Sequence, residues 1–179
     1  MGTSELVRAE LARHDWAALG CGCGDGAEHV PLLFETILEA ETVRDMRGYT
    51  LQDHIVVDTS LYECTPPAVG VVLAALAGHV SPPAREELLE ALSYIAIGAS
   101  HAPGGLSPEE ARLEEGCRAA AHEGFWVLAH IGLTGNAYEA ETVADICAAL
   151  GLGGDKYADY QHLLRGRVEA RTKRGRRRY

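Results

Sequence analysis

Four residues near the N-terminus have side chains able to hold a metal. His14, Cys21, Cys23 and His29 fall within sixteen residues, and zinc takes two thiolates and two imidazoles in a tetrahedron. Their spacing, His-x6-Cys-x-Cys-x5-His, is no known finger spacing, and Cys-x-Cys is less common than Cys-x2-Cys. The competing reading is a tight turn between helices whose small side chains tuck against the next helix. No metal and no cofactor is therefore assigned, and whether these four residues bind a metal stays open.

The same stretch, Gly20-Cys21-Gly22-Cys23-Gly24-Asp25-Gly26, invites comparison with phosphate-binding loops. A G-x-G-x-x-G fingerprint needs a sixth-position glycine after a strand. Counting from Gly20 that position is Asp25, and from Gly22 it is Ala27. The loop follows a helical pattern and no Gly-Lys-Ser/Thr is present, so nucleotide binding is set aside.

Further along, His54 lies on an apolar stripe with Asp53 and Asp58 on either side. A His–Asp pair in a groove can do acid–base work, while a buried polar tie between helices is the plainer role. His54, Asp58 and Tyr62 are taken as candidate binding residues. Cys64 precedes a helix N-terminus, where a thiolate would be stabilised. Cys117 and Cys147 fall on helix stripes and read as core. No catalytic residue is assigned.

The last sharp signal is charge. Residues 165–179 hold eight of the sixteen Lys and Arg and one acid, so this tail is +7 and the remaining body −17. Lys173, Arg174, Arg176, Arg177 and Arg178 are candidate contacts for an acidic protein or for nucleic acid phosphate. Nucleic acid is the lesser expectation, because the acidic body repels the phosphate backbone and no aromatics interleave with the basic residues. Disorder is expected in part of the tail.

These residues must be positioned by helices. Val69, Val72, Leu73, Leu76 and Val80 form one stripe, and Leu88, Leu92, Ile95, Ala96 and Ala99 another. Thr65 and Ser81 read as N-caps, each followed by two prolines in the first turn. Before them, Ser4 to Leu19 reads as a first helix. Asp25 and Glu28 resemble a capping box that starts a second, running to about Ala40. From Thr42, the stripe Val43, Met46, Thr50, His54, Val57 and Leu61 predicts a third helix. The β-branched run at Ile55-Val56-Val57 is not read as a strand, because no second convincing strand pairs with it. Ser107-Pro108-Glu109-Glu110 starts a long helix through Gly124 to Ile131. Gly124 within it suits close approach of a neighbour. Asn136 opens the next helix, and Asp155 caps a last one.

A chain of 179 residues is one domain by length, here residues 1–164 followed by the tail 165–179. The five cysteines are an odd number, which fits a reduced, cytoplasmic setting. No secretory h-region and no apolar run long enough to span a membrane is visible.

Helical hairpins at a spacing of about 40 residues are the mark of HEAT-type α-solenoids. Within that pattern, Trp16, the glycine-rich turn and Val30-Pro31-Leu32-Leu33 are followed by Leu61-Tyr62, Thr65 and Pro67-Ala68-Val69. This resembles a group of small HEAT-repeat proteins of uncharacterised function in high-GC actinobacteria. In that group a Val-Pro-x-Leu-Leu helix precedes a Tyr-x-Ala-Thr-x-Pro-Ala-Val helix. Cys64 stands where the pattern has alanine, and Gly70 replaces a bulkier residue. The resemblance covers roughly Trp16 to Ala99. It implies an all-α fold of about eight helices in antiparallel pairs forming a short HEAT-like superhelix. It brings no catalytic residues.

The function expected from this architecture is non-catalytic recognition of another protein, one with a basic surface, as a scaffold, adaptor or immunity-type protein. The alternative is a small enzyme or a ligand- or metal-binding protein with a pocket near His54 and the glycine-rich loop.

Overall fold

The two apolar stripes fold as the helices α3 (Thr65–Leu76) and α4 (Pro82–Gly98), with Val80 and Ala99, the last residue of each stripe, beyond the helix ends, in a computed structural model that describes residues 3–100, 106–152 and 158–176. Nine of the twelve residues of α3 are buried, from Thr65 round to Leu76. A helix apolar on all sides belongs inside, and α3 packs against α1 (Glu5–Ala12), α4 and α5 (Pro108–Glu123). Around it stand α2 (Val30–Glu39), α6 (Phe125–Thr134), α7 (Ala137–Ala149) and α8 (Ala158–Arg176). Helix α7 contacts α4, α6 and α8. The fold is all-α, with eight α-helices and a two-stranded hairpin among the described residues. None of these helices is long and apolar enough to cross a membrane.

The start signals at Ser81, Ser107 and Asn136 act as the sequence suggests. Ser81 Oγ accepts the Ala84 N–H and donates to the Ala40 carbonyl. Ser107 and Glu110 close a full capping box, as do Asn136 and Glu139.

Several expectations need correction. Helix α1 ends at Ala12, and Trp16–Ala18 is a separate 3₁₀ turn whose Trp16 Nε1–H donates to the Leu11 carbonyl at 2.7 Å. Asp25 caps nothing: Gly26 precedes a 3₁₀ turn at Ala27–His29, and α2 begins at Val30 with Pro31 in its first turn. Thr65 is the first residue of α3, not its cap, and the helix follows Cys64. The long helix after Ser107 breaks at Gly124 into α5 and α6. A Cβ on Gly124 would lie 2.5 Å from Leu73 Cδ1, so α3 passes close at that break.

The third predicted helix is absent. Residues 41–55 form turns, and Val56–Val57 (β1) pairs antiparallel with Ser60–Leu61 (β2). Asp58 and Thr59, at φ 48° and 68°, make the two-residue turn between them, as a tight hairpin requires. The hairpin needs no larger sheet because α4 and α5 pack on it. Helix α8 runs through Arg176, so the boundary drawn at 164/165 falls inside a helix. Residues 101–105, the expected cap Asp155, and Arg177 and Arg178 lie outside the described residues.

Candidate metal centre

The glycine-rich loop is laced to the segment that follows it in space, residues 54–64. Gly20 and Gly26 form an isolated antiparallel bridge that closes the loop on itself. Within it Cys21 N–H donates to the Asp25 carbonyl and Gly24 N–H to the Cys21 carbonyl. Outward, Gly20 N–H donates to Glu63 Oε2 at 2.8 Å, and the Gly20 carbonyl accepts the Cys64 N–H at 3.2 Å. Gly22 N–H donates to the His54 carbonyl at 2.8 Å. Only glycine fits there, because a Cβ on Gly22 would sit 2.6 Å from Val57 Cγ2 and 2.9 Å from the His54 oxygen.

His54 is aimed by a turn in which both its own N–H and that of Ile55 donate to the Leu51 carbonyl. Leu51, Ile55 and Val56 are buried and anchor the segment. Thr65 Oγ1 holds the far side, accepting the Tyr62 N–H at 2.8 Å and donating to the Ile55 carbonyl at 2.5 Å.

Two sulfurs and two ring nitrogens converge as a result. Cys21 Sγ lies 3.1 Å from Cys23 Sγ, 3.6 Å from His29 Nε2 and 4.0 Å from His54 Nδ1. Cys23 Sγ is 3.9 Å from His29 Nε2, and the two ring nitrogens are 2.9 Å apart. All four atoms lie within 4.8 Å of one another. A tetrahedral zinc ion, with bonds of roughly 2.0–2.1 Å to nitrogen and 2.3 Å to sulfur, sets its donors about 3.3–3.8 Å apart. The observed separations straddle that range.

The surroundings suit ligands. His29 Nδ1–H donates to the Gly26 carbonyl at 3.1 Å, which fixes the tautomer that leaves Nε2 with its lone pair. Burial, then the neighbouring His29, lowers the His54 pKa from its ordinary 6.5, keeping that imidazole neutral. Burial foremost pushes the Cys21 thiol up to about 11, and Cys64 to about 12. A thiol so raised is a poor nucleophile at neutral pH, so the geometry does not favour Cys–His nucleophilic catalysis. A cation among the four donors reverses the balance and deprotonates the thiols it binds.

Three of these residues, Cys21, Cys23 and His29, were grouped by sequence, but with the wrong fourth member. His14 sits beyond the end of α1, its ring edge-on to Trp16 at 5.8 Å. His54 takes its place, on a turn before a hairpin instead of on a helical stripe. Of the other candidates, Tyr62 is half-buried and its ring packs at Gly22. Asp58 is exposed at the hairpin turn, not paired into the cluster. Lys173, Arg174 and Arg176 belong to the last turns of α8, which packs on α6 and α7. Cys117 and Cys147 are core residues, 0% and 1% exposed. Cys64 is buried as well, its Sγ directed to the same His54 carbonyl as that of Cys21.

The chain matches no known protein-family model, no curated protein and no solved structure.

Proposed function

We propose that this chain binds one zinc-class divalent ion through Cys21 Sγ, Cys23 Sγ, His29 Nε2 and His54 Nδ1, and that the ion ties the glycine-rich loop to the segment ahead of α3. The observation that carries this reading is the convergence of two thiols and two imidazoles from sequence-distant segments within 4.8 Å. Thiolate and imidazole together select zinc over the hard cations. Four protein ligands close a tetrahedral shell and leave no position for substrate, so the role is structural. Partner recognition by the helical body ranks below it. Trp126 and Leu163, 57% and 53% exposed, lie on the packed helices α6 and α8, and nothing about them specifies a partner.

The test is titration of the reduced, metal-stripped protein with Co²⁺ and Zn²⁺. One equivalent of Co²⁺ is expected to give the visible bands of a tetrahedral thiolate site, and Zn²⁺ to displace it. At a thousand-fold excess over Kd the ion adds about 4 kcal/mol to stability by mass action. Cys21→Ser and His54→Ala are each expected to abolish stoichiometric binding, while His14→Ala leaves it intact. Fully reduced protein that takes up neither ion would overturn the reading.

A further inference from the structure

We infer that Cys21 and Cys23 form a peroxide-sensitive pair whose oxidation to a disulfide ejects the ion. This concerns the regulation of the proposed metal centre and rests on that reading. Its basis is geometric. The two sulfurs are 3.1 Å apart and must close by only about 1 Å to bond. Gly22 between them is held by the His54 carbonyl, while Gly24, at φ 89°, has open space where a side chain would stand, which leaves the Cys23 side of the pair room to adjust. The pair is also asymmetric. Cys23 is exposed, whereas Cys21 is 5% exposed. An oxidant therefore meets Cys23 first, with Cys21 held behind it as the resolving thiol.

The chemistry closes without further reactants. The Cys23 thiolate attacks one oxygen of hydrogen peroxide, forming an S–O bond as the O–O bond breaks. The departing hydroxide takes a proton and leaves as water. The Cys21 thiolate then attacks the Cys23 sulfur, an S–S bond forms, and a second hydroxide leaves with a second proton. The two sulfurs lose two electrons and the peroxide gains them. Overall the bound ion, two thiolates, one peroxide and two protons give the free ion, one disulfide and two waters. His29 and His54 remain, and two imidazoles do not complete a zinc shell.

Cys64 is the competing resolving thiol. It shares the His54 carbonyl with Cys21, at 3.9 Å against 3.3 Å, yet it is fully buried at the head of α3. Its thiol also hydrogen-bonds with that of Cys21, so it is burial, not distance, that sets it behind Cys23. Cys117 and Cys147, buried far along the chain, serve as internal standards that stay reduced.

The experiment treats the zinc-loaded full chain with hydrogen peroxide, following released zinc with a chromogenic chelator and the thiols by tryptic mapping. Cleavage after Arg13 and Arg44 yields a peptide, His14–Arg44, whose only cysteines are Cys21 and Cys23. One equivalent of zinc is expected to leave as this peptide loses two hydrogens. Thiol reductant is expected to restore both the peptide mass and zinc binding. Cys64→Ser, which removes the rival thiol, is expected to behave as the unaltered chain does. Zinc retained under peroxide, a Cys21–Cys64 crosslink, or Cys23 driven to the sulfinic acid with no disulfide would overturn the proposal while leaving the metal reading standing. Reduced protein that takes up no zinc overturns both.

Discussion

The corner built from residues 20–64 and the body built from α3 to α7 keep their shape by different means. In the body, long apolar side chains meet across helices: Leu88, Leu92, Ile95, Phe125, Leu128 and Ile146 are each at most 1% exposed. Helix hydrogen bonds satisfy the backbone there, and any well-filled apolar set would serve. Outside α2 and the 3₁₀ turn at Ala27–His29, the corner has two strands of two residues and otherwise turns and bends. Its backbone groups find individual partners instead: Gly22 with His54, Gly20 with Glu63 and Cys64, Ile55 with Thr65. An irregular segment held by single contacts pays a large ordering entropy for each of them. On the proposed reading, a metal that crosslinks the glycine-rich loop to His54 would offset that cost.

The contrast can be broken first in the body. Leu92→Ala empties a fully buried site in α4 and is expected to cost about 3 kcal/mol, as buried Leu→Ala changes do. Denaturant unfolding should report that loss, while zinc stoichiometry stays at one equivalent. A Leu92 variant that also loses zinc would mean that corner and body are one cooperative unit.

A smaller effect is expected in the corner. Thr65→Val keeps the shape of the side chain but removes the hydroxyl that serves both the Tyr62 N–H and the Ile55 carbonyl. Leaving such buried groups without partners costs roughly 1–3 kcal/mol. The change should be local: amide exchange speeds up over residues 55–62 and zinc binds more weakly, while α5 to α7 keep their protection. Uniformly faster exchange would erase the distinction between the two regions.

The same contrast decides what could be read from the sequence. Apolar periodicity is a property of the body, and it placed α3, α4 and α7 with their caps at Ser81 and Asn136. It failed where periodicity is accidental. Val43, Met46 and His54 share a helical stripe on paper, yet Val43 is 70% exposed and the segment is turns. The β-branched run at 55–57 has only Ser60-Leu61 to pair with, two residues that no propensity argument can detect. With the hairpin unread, His54 stays on a helical stripe and apart from the cluster it completes. Cys21, Cys23 and His29 are neighbours in sequence and could be grouped by eye. His54 joins them through a turn anchored by Leu51 and a glycine that admits the hairpin backbone. The resemblance to helical repeats spoke to packing, which is why it pointed toward a groove and away from the loop.

The finest test lies where the two regions meet. Glu87 on α4 accepts the Leu51 N–H at 2.8 Å, joining the body to the turn that aims His54. Burial is the main cause that raises its pKa above the ordinary 4.5; the Leu51 N–H opposes this, and Glu90 and Asp53 add to it. A carboxyl raised in the folded state stabilises the fold fully below its unfolded pKa, and that contribution is lost as pH rises through the folded value. At neutral pH the ionised Glu87 is therefore a small liability at the seam. Glu87→Gln keeps an oxygen to accept from Leu51 and removes the charge. Relative to the unaltered chain, the variant is expected to gain stability between the acid side of the ordinary carboxylate range and neutrality, by less than about 1 kcal/mol, since the group is partly solvated. Paired denaturation curves at the two pH values give the difference with the titration of the cysteines and histidines cancelled. A difference that runs the other way would mean that the ionised carboxylate is the stronger acceptor for Leu51, and that the seam is held by charge.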